Sequence, residues 1–391
     1  MPIWLFITIA ILLTTMILEI ARLTPVLLRG LKLESDLDLP QASSSYQATG
    51  RLSIIVPAKD EETNIKASVE SILASSYDNL EIILVDDRSH DGTWRLMEHL
   101  QQRDHRVKTV KIEKLPAGWT GKTHAMYVGA GTASGDMLLF TDADALFSKD
   151  LLVRAMSFFM SNQLDMLSLI PGFKQWGFLE KAIYPHLALG ISFFYPITSV
   201  NDPLSDAAVS SGCFIMMSRK SYNEVGGWRS LKDRITEDIA MSRSVKTLGL
   251  KLHVGRSDLV QTKPFDSLSE LVRFWRRTFC GGLENSPIKV IRLWLNYAPL
   301  LIPFGLVVYF AAKMATNGNI ALDESILFVM SIMTILSIEI PFGIFLKHYH
   351  GRWLYTLLSP LGVFTGFWIA TWVLFTKMLD IGIEWRGSVY K

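Results

Sequence analysis

Charged residues are scarce in this chain, at 19% of 391 residues against about a quarter in an average soluble protein. Apolar residues reach 49%, and their excess lies before residue 20 and after residue 290. The net charge of +2 comes with no basic arm carrying interleaved aromatic residues, so we expect no nucleic-acid partner. Only two cysteines, Cys213 and Cys280, are present, which excludes a disulfide framework and fits buried thiols in a reducing compartment.

The apolar run Pro2–Leu18 lacks the two features that mark a cleaved signal peptide. No basic segment precedes it, and no small-x-small cleavage site follows it. We therefore expect residues 1–32 to form an uncleaved membrane anchor, followed by a polar linker over residues 33–50.

Three further apolar runs, each of the roughly 20 residues that cross a bilayer, lie near the C-terminal end. They cover residues 293–312, 326–346 and 354–375. Pro299 and Pro303 favour a kinked or re-entrant element in the first run. Glu339, in the second run, is costly in lipid and is expected to face a partner helix or water.

The basic residues that flank the apolar runs indicate an orientation. By the positive-inside tendency, the large polar part of the chain is cytoplasmic. We expect a multi-pass protein of the plasma (inner) membrane, with residues 286–391 forming a membrane region and a tail. The number of true spans stays open.

Short buried strands alternate with amphipathic helices in the polar part of the chain. Such alternation predicts an α/β fold with a parallel, doubly wound sheet, in which ligands bind at the carboxyl ends of the strands. The predicted strands cover residues 52–56, 81–85, 107–112 and 136–141, and the predicted helices cover residues 64–75, 93–103 and 123–133.

Asp142 and Asp144 follow the fourth predicted strand in an Asp-x-Asp motif that presents two carboxylates to one spot. Hard oxygen ligands there suit Mg²⁺ or Mn²⁺ bridging a diphosphate, because such ions take one or two carboxylates and let phosphate oxygens complete the shell. The motif therefore predicts a divalent-metal site that serves a nucleotide sugar. Taken alone, the motif would favour two solvated acids in a loop, and the metal interpretation depends on the other motifs around it.

Acidic residues also follow the first two predicted strands, and a lysine without the Walker A spacing opens the third predicted helix. Carboxylates at strand ends suit hydrogen bonds from a ribose or a base, and a lysine at a helix start suits a phosphate. Helix caps and polar turns without a ligand are the alternative. The candidate donor-binding residues here are Pro57, Asp60, Glu61, Asp86, Asp87 and Lys122.

A later acidic pair, Glu237 and Asp238, opens another predicted helix. A carboxylate there suits a general base that deprotonates an attacking hydroxyl, a role we give to Asp238, with Glu237 as a donor-binding candidate. Acids that the helix dipole favours are the alternative. Arg273 and Arg276 are cations suited to a departing diphosphate, or equally to lipid headgroups near the membrane.

In this order, the motifs resemble those of the family-2 glycosyltransferases, over a domain that we place at residues 51–285. The resemblance implies a GT-A fold, inversion at the anomeric carbon, and a UDP- or GDP-linked donor, for which we expect UDP-hexose. The matching pieces are Pro57–Glu61, Asp86-Asp87, Lys122, Asp142–Asp144 and Thr236–Asp238. The resemblance implies that Glu61 and Asp87 lie near the nucleoside, Asp142 and Asp144 at the metal and diphosphate, and Asp238 at the base position.

Two departures from the family pattern narrow the expectation. Asp60 stands where the family usually has Asn, and Arg277 stands where processive synthases have a Trp after Arg276. The second departure argues against polymer synthesis. The segments Gly121–Ala125 and Glu384–Tyr390 are similar to membrane glycosyltransferases that act on carotenoids, and to hopanoid-associated ones.

The expected architecture is a GT-A domain with transmembrane or interfacial helices at both ends of the chain. Residues 176–200 are apolar and aromatic-rich, and we expect interfacial helices there, or else ordinary core packing. The expected reaction moves one sugar to a hydroxyl or carboxyl of a membrane lipid, such as a carotenoid or other polyisoprenoid. The alternatives are an enzyme that extends a glycan on a lipid carrier or builds a polymer, and a non-catalytic sugar-nucleotide sensor or assembly partner.

Overall fold

The structure is a computed structural model that describes residues 5–18, 21, 50–283, 286–348, 352–379, 383–385 and 388–390. Its described residues fall into two compact units. The sheet unit comprises those within residues 35–175 and 195–264, and the helical unit comprises those within residues 1–34, 176–194 and 265–391. The predicted linker over residues 33–50 lies outside the described residues except for Gly50.

Strands and helices are numbered in chain order. The strands are β1 (Leu52–Ala58), β2 (Leu80–Asp87), β3 (Val107–Ile112), β4 (Met137–Phe140), β5 (Leu146–Phe147), β6 (Met166–Phe173), β7 (Ile215–Ser218), β8 (Leu252–Thr262), β9 (Ile383–Trp385) and β10 (Ser388–Tyr390). The helices are α1 (Leu5–Leu18), α2 (Ile65–Leu73), α3 (Thr93–Arg103), α4 (Gly121–Thr132), α5 (Leu151–Ser161), α6 (Phe178–Ala182), α7 (Tyr184–Ser192), α8 (Ile197–Asn201), α9 (Arg219–Glu224), α10 (Glu237–Thr247), α11 (Leu268–Gly282), α12 (Pro287–Asn317), α13 (Leu322–His348) and α14 (Ser359–Met378).

The strands β3, β2, β1 and β4 lie side by side in that order and run parallel, as the alternating pattern predicts. Helices cover both faces of this part. Ile54 and Ile82 belong to a core shared with α2 and α3, whereas Ile55 and Val85 contact α4 on the opposite face. The predicted strands and helices up to residue 140 are confirmed, with bounds shifted by a few residues.

Beyond β4 the sheet is mixed rather than parallel throughout. It continues in the order β7-β6-β8-β5, and β7 runs antiparallel to both of its neighbours. Ile215, the first residue of β7, pairs with Phe140, the last residue of β4. The chain therefore enters β7 at the edge where β4 ends, which places the turn before β7 beside the Asp-x-Asp motif.

The helical unit contains three helices long and apolar enough to cross a membrane, at Pro287–Asn317, Leu322–Gly343 and Trp353–Met378 of the described residues. Helix α12 is continuous over 31 residues, so the re-entrant element predicted from Pro299 and Pro303 does not form. Neighbouring helices make such prolines tolerable. The N-terminal run forms the shorter apolar helix Leu5–Leu18, and its role as an anchor stays a prediction.

The segment predicted to lie at the membrane interface forms the short helices α6, α7 and α8. Ala182, Ile183 and Leu187 are buried in the apolar core of the helical unit, together with residues of α11, α12 and α14. This packing agrees with the alternative that the segment serves as core, and an interfacial position stays a prediction. At the C-terminal end, β9 and β10 pair antiparallel.

The buried carboxylate of Glu81 connects neighbouring strands by hydrogen bonds, at the end of the sheet opposite the predicted site. Its side chain is 1% exposed and accepts hydrogen bonds from Ser53 Oγ (2.6 Å), Lys108 Nζ (2.7 Å) and the Ser134 amide (2.7 Å). Burial alone would raise the pKa of Glu81, but these hydrogen bonds outweigh it and lower the pKa to about 2. Sequence inspection had treated this residue only as part of a strand.

We expect Glu81→Gln to lower the free energy of unfolding by about 2 kcal/mol, because the amide cannot accept all of these charge-assisted bonds. Since the folded-state pKa is lowered, the difference from wild type is full above the ordinary glutamate pKa and shrinks as pH falls toward 2. Urea unfolding followed by tryptophan fluorescence measures it. Glu70→Gln is the matched control, because Glu70 is 47% exposed and pairs only loosely with Arg103. Equal effects of the two substitutions would contradict the structural role of Glu81.

Candidate active site

Hydrogen bonds join the loops that follow β1 and β2. Asp60 has φ 56°, a left-handed conformation that Asp and Asn adopt more readily than most residues, and its Oδ1 accepts from the His90 amide at 2.7 Å. The Asp60 amide donates to Ser89 Oγ (3.0 Å), and the Glu61 amide donates to Thr93 Oγ1 (2.8 Å). The exposed Asp60 side chain therefore holds the two loops together, and its predicted donor contact stays a prediction.

The two aspartates at the end of β2 lie in different environments. Asp86 is fully buried, and neither of its carboxylate oxygens has a hydrogen-bond partner among the described residues. Asp87 is 5% exposed, and its Oδ1 accepts from Arg88 Nε at 2.8 Å. A Cβ atom at Gly121 would collide with Asp87 Oδ2, so glycine lets the first turn of α4 approach this carboxylate.

The donor contacts predicted at the first two strand ends, for Pro57, Glu61, Asp86 and Asp87, stay predictions. Asp86 is 0% exposed. Pro57 is buried within β1. Glu61 is half-buried, and its Oε2 accepts from Asn64 Nδ2 at 2.8 Å.

The Asp-x-Asp motif lies directly after β4, with both carboxylates half-buried. Thr262 Oγ1, at the end of β8, donates to Asp144 Oδ2 at 3.0 Å. Burial, together with the nearby charges of Asp142 and Glu61, raises the pKa of Asp144 to about 6. When neighbouring acids raise the pKa of a carboxylate, a cation bound among them stabilises its ionised form.

The residues fit a divalent cation of the kind that phosphates help to hold. Within the described part of the chain, no cluster of three or more His, Cys, Asp or Glu side chains forms a complete metal cage. A pair of carboxylates, Asp142 and Asp144, is nevertheless what Mg²⁺ or Mn²⁺ uses when a diphosphate supplies further oxygens. The choice of metal and the ligand roles stay predictions.

Lys122 lies between two of the predicted site acids. Its Nζ is 2.7 Å from Asp142 Oδ1 and 2.8 Å from Glu237 Oε1. Burial alone would lower the pKa of Lys122, but the two carboxylates hold it well above its usual range, so the ammonium stays charged. The structure thus joins three residues that lie far apart in the sequence.

The acidic pair at the start of α10 divides into a buried and an accessible carboxylate. Glu237 is 5% exposed and pairs with Lys122, whereas Asp238 is half-buried. Asp238 Oδ2 accepts from the Gly212 amide at 3.0 Å, and its Oδ1 accepts from the Ile239 amide at 2.8 Å. Two backbone donors therefore fix the orientation of the Asp238 carboxylate.

The two arginines predicted to meet the diphosphate belong to α11, in the helical unit. Arg273 Nη1 donates to Ser269 Oγ at 2.7 Å. The guanidinium carbon of Arg276 lies 3.1 Å from the centroid of the Trp372 ring, a cation–π arrangement. Their roles toward a diphosphate stay predictions.

One protein-family model matches part of the chain. The model described as "Glycosyl transferase family 2" matches residues 53–226. Residues 53–226 thus match a family 2 glycosyltransferase domain. This match confirms the resemblance that the motifs indicated.

Curated relatives of the family 2 domain include enzymes named for lipid substrates. A beta-monoglucosyldiacylglycerol synthase of Synechocystis is 26% identical over 57% of this chain and 45% of its own length. A 4,4'-diaponeurosporenoate glycosyltransferase of Staphylococcus haemolyticus is 23% identical over 64% of this chain and 67% of its own length. The chain spans about half the length of the curated relatives it matches.

A solved structure extends the likeness over nearly the whole chain. The mannosyltransferase PcManGT of Pyrobaculum calidifontis, in complex with GDP-Man and Mn²⁺, superposes with a TM-score of 0.56 at 17% identity. The superposition covers 93% of this chain and 99% of that one. Together with the mixed sheet, the likeness confirms the predicted GT-A fold.

Sequence inspection missed two contacts of the family 2 domain site. Thr262 holds Asp144 from the end of β8, and no motif marks it. Gly212 orients Asp238 from the turn before β7, and the sequence motifs do not single it out. The small residues of Ser211–Cys213 were the available signal.

We expect Asp144→Asn to abolish measurable Mn²⁺ binding, because a single remaining carboxylate gives too few charged ligands. Electron paramagnetic resonance of Mn²⁺ titrated into the purified protein with a nucleoside diphosphate measures it. Asp150→Asn is the matched control, since Asp150 is exposed and accepts a hydrogen bond from Ser76 Oγ at 3.2 Å. Unchanged Mn²⁺ affinity in Asp144→Asn would remove Asp144 from the metal site.

Proposed function

We propose that this chain is an inverting glycosyltransferase that moves a single sugar from a nucleotide sugar to a hydroxyl or carboxyl group of a membrane lipid. The proposal rests on one observation. The Lys122 ammonium pairs both with Asp142 and with Glu237, and Glu237 begins the helix that also presents Asp238. The acids proposed to bind the metal and the acid proposed as general base thus lie in one site. The family 2 domain supports the reaction class.

The donor is a UDP- or GDP-linked hexose, for which we expect UDP-hexose. Glu61 and Asp87 are the residues that we assign to its nucleoside. Asp142 and Asp144 would hold Mg²⁺ or Mn²⁺, which when bound neutralises charge on the diphosphate. The likeness to PcManGT, a complex with GDP-Man and Mn²⁺, supports a nucleotide sugar and a divalent metal without fixing the base or sugar.

Asp238 is the general base. Each of its two oxygens accepts a hydrogen bond from one backbone amide, which orients the carboxylate while leaving further lone pairs for an incoming proton. With a hydroxyl acceptor, Asp238 takes the hydroxyl proton as the lipid oxygen forms its bond to the anomeric carbon and the nucleoside diphosphate departs. A carboxyl acceptor attacks as the carboxylate, which is already ionised and needs no base. Attack from the face opposite the leaving group inverts the configuration at that carbon.

The lipid acceptor is proposed from the apolar helices and from the relatives. Three helices long and apolar enough to span a membrane support a bilayer environment, where a lipid is the available hydroxyl or carboxyl compound. The names of the relatives indicate a carotenoid acid in one case and a glycerolipid in another. Among these, we favour a carotenoid or other polyisoprenoid, with the sheet unit on the cytoplasmic side of the plasma membrane.

Mass spectrometry of total lipids and pigments from cells with and without this chain tests the proposal. A hydrophobic lipid that gains the mass of one hexose supports it and identifies the acceptor. A ladder of added sugars, or a changed surface polysaccharide with unchanged lipids, supports a glycan-extending enzyme instead. If the purified protein binds the nucleotide sugar tightly and neither the lipids nor the surface polysaccharide change, a non-catalytic sensor is favoured.

We expect Asp238→Asn to lower sugar transfer about 10²–10⁴-fold while leaving donor affinity largely unchanged, because the amide cannot accept the proton. Transfer of radiolabelled sugar to lipid in isolated membranes measures the rate, and isothermal titration measures donor affinity. Asp233→Asn, at a side chain that is 67% exposed, is the matched control and should transfer normally. Retained transfer in Asp238→Asn would exclude it as the base.

A further inference from the structure

Gly212 lies where the acidic motifs of the site converge. A Cβ atom at this position would lie 2.8 Å from Lys122 Nζ, 3.6 Å from Glu237 Oε1 and 3.7 Å from Asp238 Oδ2. A separation of 2.8 Å is too short for a carbon and an ammonium nitrogen in van der Waals contact. Any side chain at residue 212 therefore displaces the Lys122 ammonium, whereas the other two atoms stay at permitted distances.

Hydrogen bonds hold the turn that carries Gly212 in place on both sides. Thr141 Oγ1, at the end of β4, donates to the Cys213 carbonyl at 2.7 Å. Ser210 Oγ donates to the Asp238 carbonyl at 2.6 Å, and the Gly212 amide donates to the Asp238 carboxylate. The backbone of this turn cannot retreat easily, so the Lys122 side chain, which is flexible, has to give way.

The position of the ammonium matters because its two partners belong to different parts of the site. Asp142 belongs to the metal motif after β4, and Glu237 begins the helix that presents Asp238. Glu237 is 5% exposed, and a carboxylate so deeply buried is costly without its cation. Without the ammonium, we expect the first turn of α10 to shift so that the Glu237 carboxylate becomes solvated.

We propose that Gly212 is a positioning residue, which admits the Lys122 ammonium between Asp142 and Glu237 and thereby fixes the base Asp238 relative to the metal motif. Lys122 acts here as a cross-link between the two halves of the site, and the donor contact predicted for it from the sequence stays a prediction. The inference rests on the proposed function in one respect, the role of Asp238 as base. The cross-link itself is a property of the folded chain.

A double-mutant cycle on thermal unfolding tests the cross-link without donor, metal or acceptor. The variants are Gly212→Ala, Lys122→Met and the two combined. We expect Lys122→Met to unfold roughly 5 °C below wild type, because it leaves Glu237 buried without its cation, and Gly212→Ala to unfold below wild type by a smaller amount, because it displaces the ammonium without removing it. The combined variant should unfold no lower than Lys122→Met, because alanine at 212 then has no ammonium to displace. Additive decreases would overturn the proposal, as would an unchanged unfolding temperature in Gly212→Ala.

Steady-state kinetics test the positioning of the base. We expect Gly212→Ala to lower kcat about 10-fold without raising KM for the nucleotide sugar, because the ammonium moves by less than the roughly 1 Å misplacement that can cost 10²-fold. A raised KM at unchanged kcat would overturn the positioning role in favour of a direct donor contact by Lys122. If wild type transfers no sugar to any lipid, the proposed function fails, whereas the thermal cycle still decides the cross-link.

Gly131→Ala is the matched control for both measurements. Gly131 is an exposed residue of α4, and a Cβ atom there would meet nothing within 4 Å. Alanine should leave kcat and KM unchanged and should not lower the unfolding temperature, since alanine favours helix more than glycine. A loss of kcat in this control equal to that of Gly212→Ala would overturn the assignment to position 212.

Discussion

Repulsion between carboxylates at the carboxyl edge of the sheet is the constraint on which the rest of the site depends. At Asp144, burial raises the pKa, and the charges of Asp142 and Glu61 add to this effect and bring it to about 6. Two like charges about 4 Å apart repel by roughly 4 kcal/mol at the effective dielectric constant near a protein surface. A chain that gathers acids in this way has to bring compensating positive charge or hydrogen-bond donors to the same place.

The fold supplies that compensation from elements that the sequence separates widely. Lys122, from the start of α4, pairs with Asp142 and Glu237. Backbone amides of Gly212 and Ile239 hold Asp238, and Arg88 pairs with Asp87. Donors that are fixed before the substrate arrives need no reorganisation during the reaction, which is the electrostatic arrangement that favours group transfer.

Buried polar side chains in the helical unit also have hydrogen-bond partners, although they lie among apolar helices. Ser359 Oγ donates to Glu339 Oε2 at 2.6 Å, and His186 Nε2 lies 3.0 Å from the same hydroxyl. The His186 ring stacks on Phe342 with centroids 3.9 Å apart. Glu339 therefore faces partner helices, as expected from its position in an apolar run, and its polar contacts join α7, α13 and α14.

The sequence by itself determined the parallel half of the sheet, because strand and helix periodicity is local, and the place of Asp142 and Asp144, because parallel strands end at one edge. Only the tertiary structure decided that β7 runs antiparallel, that Asp86 is buried without a hydrogen-bond partner among the described residues while Asp87 pairs with Arg88, and that Lys122 pairs with Glu237. Burial and hydrogen-bond partners depend on contacts between residues distant along the chain, and no local pattern in the sequence encodes those contacts.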